Sequence, residues 1–437
     1  MTKVKAITTT KTSAIFLLVV LVTGTFALSL SSSLSSFIIG EAQAQTADYG
    51  YNDKNGYNSE YYPQDYGYDN KKYYPPNKDP PADIVVPRDF PTIQDAIEEA
   101  NEGDVIKVLP GIYTEQIAIS KSITILGSGA KSTIIETPPL PLDELNTGVL
   151  GAPYIVEVSN GAEVNMKGFT ISGPDISSCG NTPFNGLIGV SVQEDATLKL
   201  DSSIIKDCTF VAVRVGAPPF LPNGPQVGHA TITKTDITDY FFTGIAAFTS
   251  DSLLKITKSS IIAADTSNID VGMAVENGAK AIIVGNIISG NKCKDPGCGP
   301  DLFNQQQSFG MVIASAPGSV ISNNYVINND VGIGIFGASG CCLIDHNKLV
   351  DNEFFGIVIA DGEHTVSNTK IFGGKVGVAA IAFSANTVAT LDGVKIVDAK
   401  TPIQALSSAG FTATVNVVSP YFLAPWLTIP PLIFFFF

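Results

Sequence analysis

Charge is scarce in this sequence, and basic charge most of all. Charged residues make up 15% of the 437, with 26 Lys and Arg against 41 Asp and Glu and a formal net charge of −15. An acidic body repels phosphate backbones, which argues against nucleic acid as a partner. Arginine is nearly missing: Arg214 is the only one after Arg88. Histidine numbers three, and beside Cys293 and Cys298 no second Cys or His pair stands at ligand spacing, so a zinc site is disfavoured. Aliphatic residues are absent from 48–81, which instead holds nine of the fourteen tyrosines and echoes itself as Asp48-Tyr-Gly-Tyr and Asp65-Tyr-Gly-Tyr. A stretch that cannot bury a core reads as a disordered tether, here 45–83.

What the chain does have is a repeat. Gly310-Met-Val-Ile, Gly332-Ile-Gly-Ile, Gly356-Ile-Val-Ile and Gly377-Val-Ala-Ala follow one another at spacings of 22, 24 and 21 residues. Each of the first three is followed by a polar turn and a second apolar segment. A fixed period in this range marks a solenoid. A leucine-rich repeat would pair a strand with a helical half, but every apolar segment here alternates in steps of two and is rich in Val and Ile, which is strand periodicity. About 22 residues rising ~3.3 Å each give a closed turn of roughly 70 Å, room for three short strands and their corners. The fold expected is all-β, a right-handed single-stranded parallel β-helix. Nine second segments align without gaps: 166–171, 200–205, 232–237, 256–261, 283–288, 321–326, 344–349, 366–371 and 391–396. Their central corner carries Ser203, Thr235, Ser259, Asn286, Asn324, Asn347 and Thr369, side chains that can hydrogen-bond a backbone turn.

The ends read differently. Residues 1–44 begin with three lysines, run through an apolar stretch from Ala14 and end at Ala42-Gln43-Ala44, the layout of a secretory signal. The uncharged run 12–40 is long enough to span a bilayer, so an uncleaved anchor is the alternative. Either way the body is exported, secreted or held at the cell surface. An even count of six cysteines suits disulfides in such a compartment, and Cys293 and Cys298 could close a loop on themselves. The tail 407–437 carries Pro425, Pro430 and Pro431, which oppose a spanning helix, and reads as a cap over the last coil, with membrane or partner contact as the other use.

At the start of the repeats, 89–129 reads Asp-Phe-Pro-Thr-Ile-Gln-Asp-Ala-Ile-Glu-Glu-Ala and runs on to Ile119-Ser-Lys-Ser-Ile-Thr-Ile-Leu-Gly-Ser-Gly. Thr92 is positioned as an N-cap, Asp95 completes a capping box, and Ile93, Ala96, Ile97 and Ala100 form one apolar face, a short capping helix for the open end of the stack. This block resembles the opening of the pectin lyase-like, right-handed parallel β-helix superfamily, and the downstream coils resemble its NosD-like members over about 84–406. The resemblance implies the fold and, in the enzymes, action on acidic polysaccharides at the outer face of the stacked strands. It does not extend to catalytic phrases. The pectinesterase phrases Gln-Ala-Val-Ala-Leu, Asp-Thr-Leu and Leu-Gly-Arg-Pro-Trp do not occur, and Gly228-His229 is only a fragment of a polygalacturonase phrase.

Stacked carboxylates on adjacent coils are the remaining route to acid–base chemistry. Asp207 and Asp239 both fall two residues after the last aligned isoleucine of consecutive segments. Such a pair would raise one pKa or hold a cation, Ca2+ being possible. The same edge carries insertions at 137–152, 173–188, 240–243, 264–270 and 291–309, expected to rise as a wall that gathers Asp175, Asn181, Tyr240, Phe241, Asp265, Asp270 and Asp301 as substrate-binding residues. Aromatic, acidic and amide side chains together suit sugar rings and hydroxyls. Asp345-His346-Asn347 is by contrast an ordinary coil corner, matched by Ser322-Asn323-Asn324, and stacked Lys234 and Lys258 read as a solvated face. The expectation is an exported β-helix that binds polysaccharide or envelope glycan. Its rivals are a polysaccharide lyase, hydrolase or esterase using the Asp pair, a NosD-like metalloenzyme accessory protein, and a structural surface protein.

Overall fold

A computed structural model of the chain describes residues 79–423 apart from 140–144, 149–150, 175–185, 208, 220, 222, 265–268, 295, 338, 409 and 419–420. The signal segment, nearly all of the tether, the end of the tail, Cys179 and Cys208 lie outside the described residues.

Three parallel sheets of thirteen, twelve and eleven strands run the length of the molecule, and each coil contributes one strand to each. They are called here the first, second and third sheets in the order the chain visits them. One coil, for example, is Ser319–Ser322, Tyr325–Ile327 and Val331–Phe336. The fold is a right-handed parallel β-helix. In the first sheet Met166, Leu200, Ile232, Ile256, Ile283, Ile321, Ile344, Val366 and Leu391 are paired one to the next. The nine segments aligned from sequence are therefore the true register, and all nine side chains are buried in the core. A shift of one residue would turn this whole column out to solvent, so burial specifies the pairing. The stack runs on through Thr401–Ser407, Ala413–Val417 and Tyr421–Leu423, the last strands of the three sheets.

The helix Ile93–Glu99 sits against the first strands with Ile93, Ala96 and Ile97 buried. Thr92 Oγ1 accepts from Asp95 N at 3.0 Å. The amides of Ile93 and Gln94 donate to the carboxylate of Glu115, 2.9 and 2.8 Å away. The first turn thus borrows an acceptor from a neighbouring strand end.

The corner between first and second sheets is a single residue in the left-handed region followed by an inward residue, polar except at Phe169 and Val394. Ser202, Lys234, Lys258, Asn323, His346 and Asn368 take positive φ there, as do Gly285 and Gly393. Behind them Asn286, Asn324 and Asn347 form a buried ladder: Asn324 Oδ1 accepts from Asn286 Nδ2 at 3.1 Å, and Asn324 Nδ2 donates to Asn347 Oδ1 at 3.0 Å. Ser203, Thr235 and Ser259 serve the same corner with hydroxyls. Stacked Lys234 and Lys258, and the Asp345-His346-Asn347 run, are accounted for by this corner.

The recurrent glycine has a steric origin. A Cβ on Gly332 would lie 2.6 Å from the Gly356 carbonyl oxygen and 2.8 Å from Leu349 Cδ2, and Gly310 and Gly356 are confined in the same way. Each glycine lets the next coil approach at the entry to the third sheet.

Candidate functional site

Asp207 and Asp239 stand where the sequence alignment puts them, at the corner between second and third sheets on consecutive coils, two residues after paired Ile205 and Ile237. The backbone explains their identity. Both have positive φ, 58° and 55°, and the same position in later coils holds Gly290, Asn328, Asp351, Gly373 and Asp398, all with positive φ. Asp, Asn and Gly are the residues that adopt this conformation most readily. The carboxylate of Asp207 is engaged by Lys206 Nζ at 2.6 Å and Ser172 Oγ at 2.9 Å. Among the described residues no group of three or more His, Cys, Asp or Glu is placed to hold a metal ion.

The residue after this corner turn points inward, and it forms a second ladder. Asn291 Nδ2 donates to Asn329 Oδ1 at 2.8 Å and Asn329 Nδ2 to Asn352 Oδ1 at 3.0 Å. Tyr240 occupies the equivalent place in an earlier coil and donates its hydroxyl to Asn291 Oδ1 at 2.6 Å. It is fully buried and so faces the core instead of a ligand. Burial, reinforced by Asp270, raises the Tyr240 pKa well above its usual value. Asp270 is buried as well. Phe241 is half-buried and its ring lies 6.3 Å from that of Phe210, which stacks on Phe242 at 4.8 Å. Asp301 is exposed and organises its own turn, accepting from Phe303 N and Asn304 Nδ2. Asp175, Asn181 and Asp265 lie outside the described residues. Tyr240 and Asp270 thus come together in the interior, while Phe241 and Asp301 sit apart on the surface.

The insertions do belong to this one corner, as the sequence suggests, but the longest does not rise as a wall. The insertion between Ile287–Ser289 and Phe309–Ala314 lies across the outer face of the third sheet. Leu302 is buried there, and Phe303 meets Phe383, three coils further on, edge to face at 5.0 Å. Its apolar underside is the cause: the outward residues Val271, Phe309, Val331, Phe355 and Val376 form an apolar strip in register that water disfavours. A disulfide joins Cys293 to Cys298 within the insertion, as the spacing allowed. The other described disulfide joins the vicinal Cys341 and Cys342.

Asp330 fastens both ends of this insertion. Its Oδ2 accepts from Cys293 N at 2.8 Å and Ser308 N at 3.0 Å, and its own amide donates to the Asn291 carbonyl. Burial raises its pKa to about 6 despite the two amides. A folded-state pKa above the unfolded value of 3.8 means that its contribution to stability is complete below that value and is lost as pH rises through about 6. We expect wild-type stability to fall across this window by on the order of 2–3 kcal/mol, and Asp330→Asn to flatten the fall. Denaturant unfolding at a series of pH values checks this; an unchanged pH profile in the variant would refute it.

Two further features escaped the sequence reading. On the outer face of the third sheet Glu157, Ser191 and Arg214 are in register on three coils, with Gln193 two positions beyond Ser191. Arg214 Nη2 donates to Ser191 Oγ at 3.2 Å, and Gln193 Nε2 donates to the Glu157 carboxylate. Arg214 and Glu157 are each 6% exposed. Burial lowers the Arg214 pKa to about 10, opposed by Glu157. Acid and base chemistry is present, but it is closed over: a Cβ on Gly148 would strike the Glu157 carboxylate at 2.0 Å. On the same face Glu276 is fully buried with neither carboxyl oxygen hydrogen-bonded, and its pKa is raised well above normal. The signal in the sequence was a charge inside apolar strands, Tyr154–Val158 and Val211–Val215.

The second feature is an open groove of about 500 Å³ at the corner between third and first sheets. Thr249 and Ser250, Asn277 and Gly278, Ser315 and Pro317, and Ser339 and Cys341 line it from four consecutive coils, and Pro219 and Pro225 wall it from an insertion after Val211–Val215. Three coil steps of about 4.8 Å give it a length near 14 Å along the stack. None of these lining residues is charged. The proline-rich break at 217–227, interrupting two aligned strands, was the available sequence signal.

The sequence profile of the family described as "Right handed beta helix region" matches residues 223–392. No curated protein matches the chain. Among solved structures, the catalytic domain of a GH87 alpha-1,3-glucanase in complex with nigerose is similar at 14% identity and TM-score 0.46, covering 78% of this chain and 70% of that one. The Agl-KA catalytic domain is 13% identical with TM-score 0.49, over 72% and 63%. The A-module of the mannuronan C-5 epimerase AlgE6 of Azotobacter vinelandii is 14% identical with TM-score 0.43, over 76% and 94%.

Proposed function

We propose that this right-handed parallel β-helix is an exported, surface-held protein that binds polysaccharide, and that the groove at the corner between third and first sheets receives the chain. The groove is the observation that carries the reading. Its ring of hydroxyl, amide and backbone groups can hydrogen-bond sugar hydroxyls, while Pro219, Pro225, Pro317 and the Cys341–Cys342 disulfide offer apolar faces to sugar rings. Its axis follows the coil stack, so a linear polymer can lie in it and continue past both ends. Export is supported by the signal-like residues 1–44 and by two disulfides that suit an oxidising compartment.

A glycan array with the purified protein, followed by calorimetry, tests the reading. Ser250 is exposed at the groove, and Ser250→Trp is expected to weaken a neutral glycan retained by the wild type at least about tenfold, roughly 1.4 kcal/mol. Unchanged affinity would take the glycan out of the groove, and retention of no glycan at all would favour the structural-protein rival. The catalytic alternative rests on Asp207 and Asp239 and is read by product release from the same glycans with Asp239→Asn.

A further inference from the structure

The outward positions of the second sheet change character along the stack. From Tyr325 the register runs to Lys348, Lys370 and Lys395 on three consecutive coils. Two positions further along the same strands the row is Ile327, Val350, Phe372 and Val397. Lys348 Nζ lies 5.0 Å from the Tyr325 ring centre and 5.9 Å from that of Phe372. Lys348 and Lys370 are exposed and Lys395 partly so.

This arrangement needs a reason, because like charges directly opposite on neighbouring strands repel. Three other lysines have carboxylate partners: Lys167 with Asp79, Lys206 with Asp207 and Lys292 with Glu353. Among the described residues none pairs with Lys348, Lys370 or Lys395, in a protein whose net charge is −15. Three unneutralised ammonium groups recur at the strand spacing of about 4.8 Å. That interval is close to the rise of one sugar in an extended polysaccharide, and the aromatic and aliphatic row beside it offers a surface for ring faces.

We propose that the Lys348–Lys370–Lys395 ladder is a docking strip for a linear anionic polysaccharide with one carboxylate or sulfate per sugar. Each lysine meets one anionic group, and Tyr325 and Phe372 contact rings beside them. The strip lies on the second sheet, apart from the groove at the opposite corner, and does not depend on the groove's being a binding site. The acidic remainder of the surface restricts binding to polymers that seat their charges in register on the strip.

Interferometry with immobilised polygalacturonate and chondroitin sulfate, at low and high salt, tests the proposal with the full chain. The wild type should bind at least one of the two polymers, more weakly as salt rises. The combined Lys348→Gln, Lys370→Gln and Lys395→Gln variant should lose at least about tenfold in affinity and most of its salt dependence. The corresponding triple Arg variant should bind, which controls for folding, and Ser250→Trp should bind these polymers as the wild type does. Wild-type binding that survives the triple Gln change would overturn the proposal. So would no binding of either polymer at low salt, or equal binding of single-stranded DNA, which would show that charge alone is read. Loss on Ser250→Trp would move the anionic glycan to the groove and also overturn it.

Discussion

Asn324→Leu is expected to cost about 3–5 kcal/mol of unfolding free energy, although leucine has the same branched shape and the same number of side-chain heavy atoms. Asn324 is 1% exposed. Its Oδ1 accepts from both the backbone amide and the Nδ2 of Asn286, and its Nδ2 donates to the Ile283 carbonyl and Asn347 Oδ1. Leucine strands two buried donors on the neighbouring coil, each worth roughly 1–3 kcal/mol, and adds the loss of the bonds themselves. Asn324→Thr should cost clearly less. Two coils on, Thr369 fills the same place and its hydroxyl accepts from the Asn347 amide at 3.3 Å, so a threonine can recover one donor. Denaturant titration decides. If Asn324→Leu unfolds within about 1 kcal/mol of wild type, the ladder follows from the coil and does not hold it. A second readout is the slope of the transition. Most contacts run between neighbouring coils, so a weakened corner should split the unfolding and lower the apparent m-value.

Arg214→Met should be comparably severe, about 3–5 kcal/mol, because it leaves Glu157 buried without its cation. The guanidinium stays charged at neutral pH even with its pKa near 10. Adding Glu157→Gln to Arg214→Met should recover much of the loss, since the remaining amide carries no charge. Stability of the two variants, measured side by side, separates this from a packing effect. Equal losses in the single and double variants would place the cost in the missing arginine side chain.

The fold was legible because burial writes directly into sequence. An alternating strand must put Ile256, Ile283 and Ile321 inward, and a corner must seat Asn286 and Asn324 behind a left-handed residue, so the repeat shows both. The capping helix was legible from Thr92 and its apolar face, although Glu115, 22 and 21 residues away, satisfies the Ile93 and Gln94 amides that the local pattern left without a partner. The site was less legible for a related reason. At Asp207 and Asp239 the residue type suits catalysis and suits a left-handed turn equally well, and the backbone shows that both take the turn. Tyr240 looked like a surface aromatic because it begins an insertion, yet it takes the inward place that Asn291 takes later. Where an insertion lies depends on apolar area assembled from several coils, which no single window of sequence contains. The same holds for the groove and the lysine ladder. Their members are twenty or more residues apart and become neighbours only through register.

That register also shapes how such a protein can change. The coils from Gly310 to Gly377 repeat at spacings of 21–24 residues with the same strand register, so a duplicated unit there would meet neighbours much like its own. A copied coil from 310–331 or 332–355 would add the recurrent glycine and one more asparagine to each of the two corner ladders. The length of the groove and of the lysine ladder is then an evolvable quantity in whole coil steps, changed by duplication or loss of a coil.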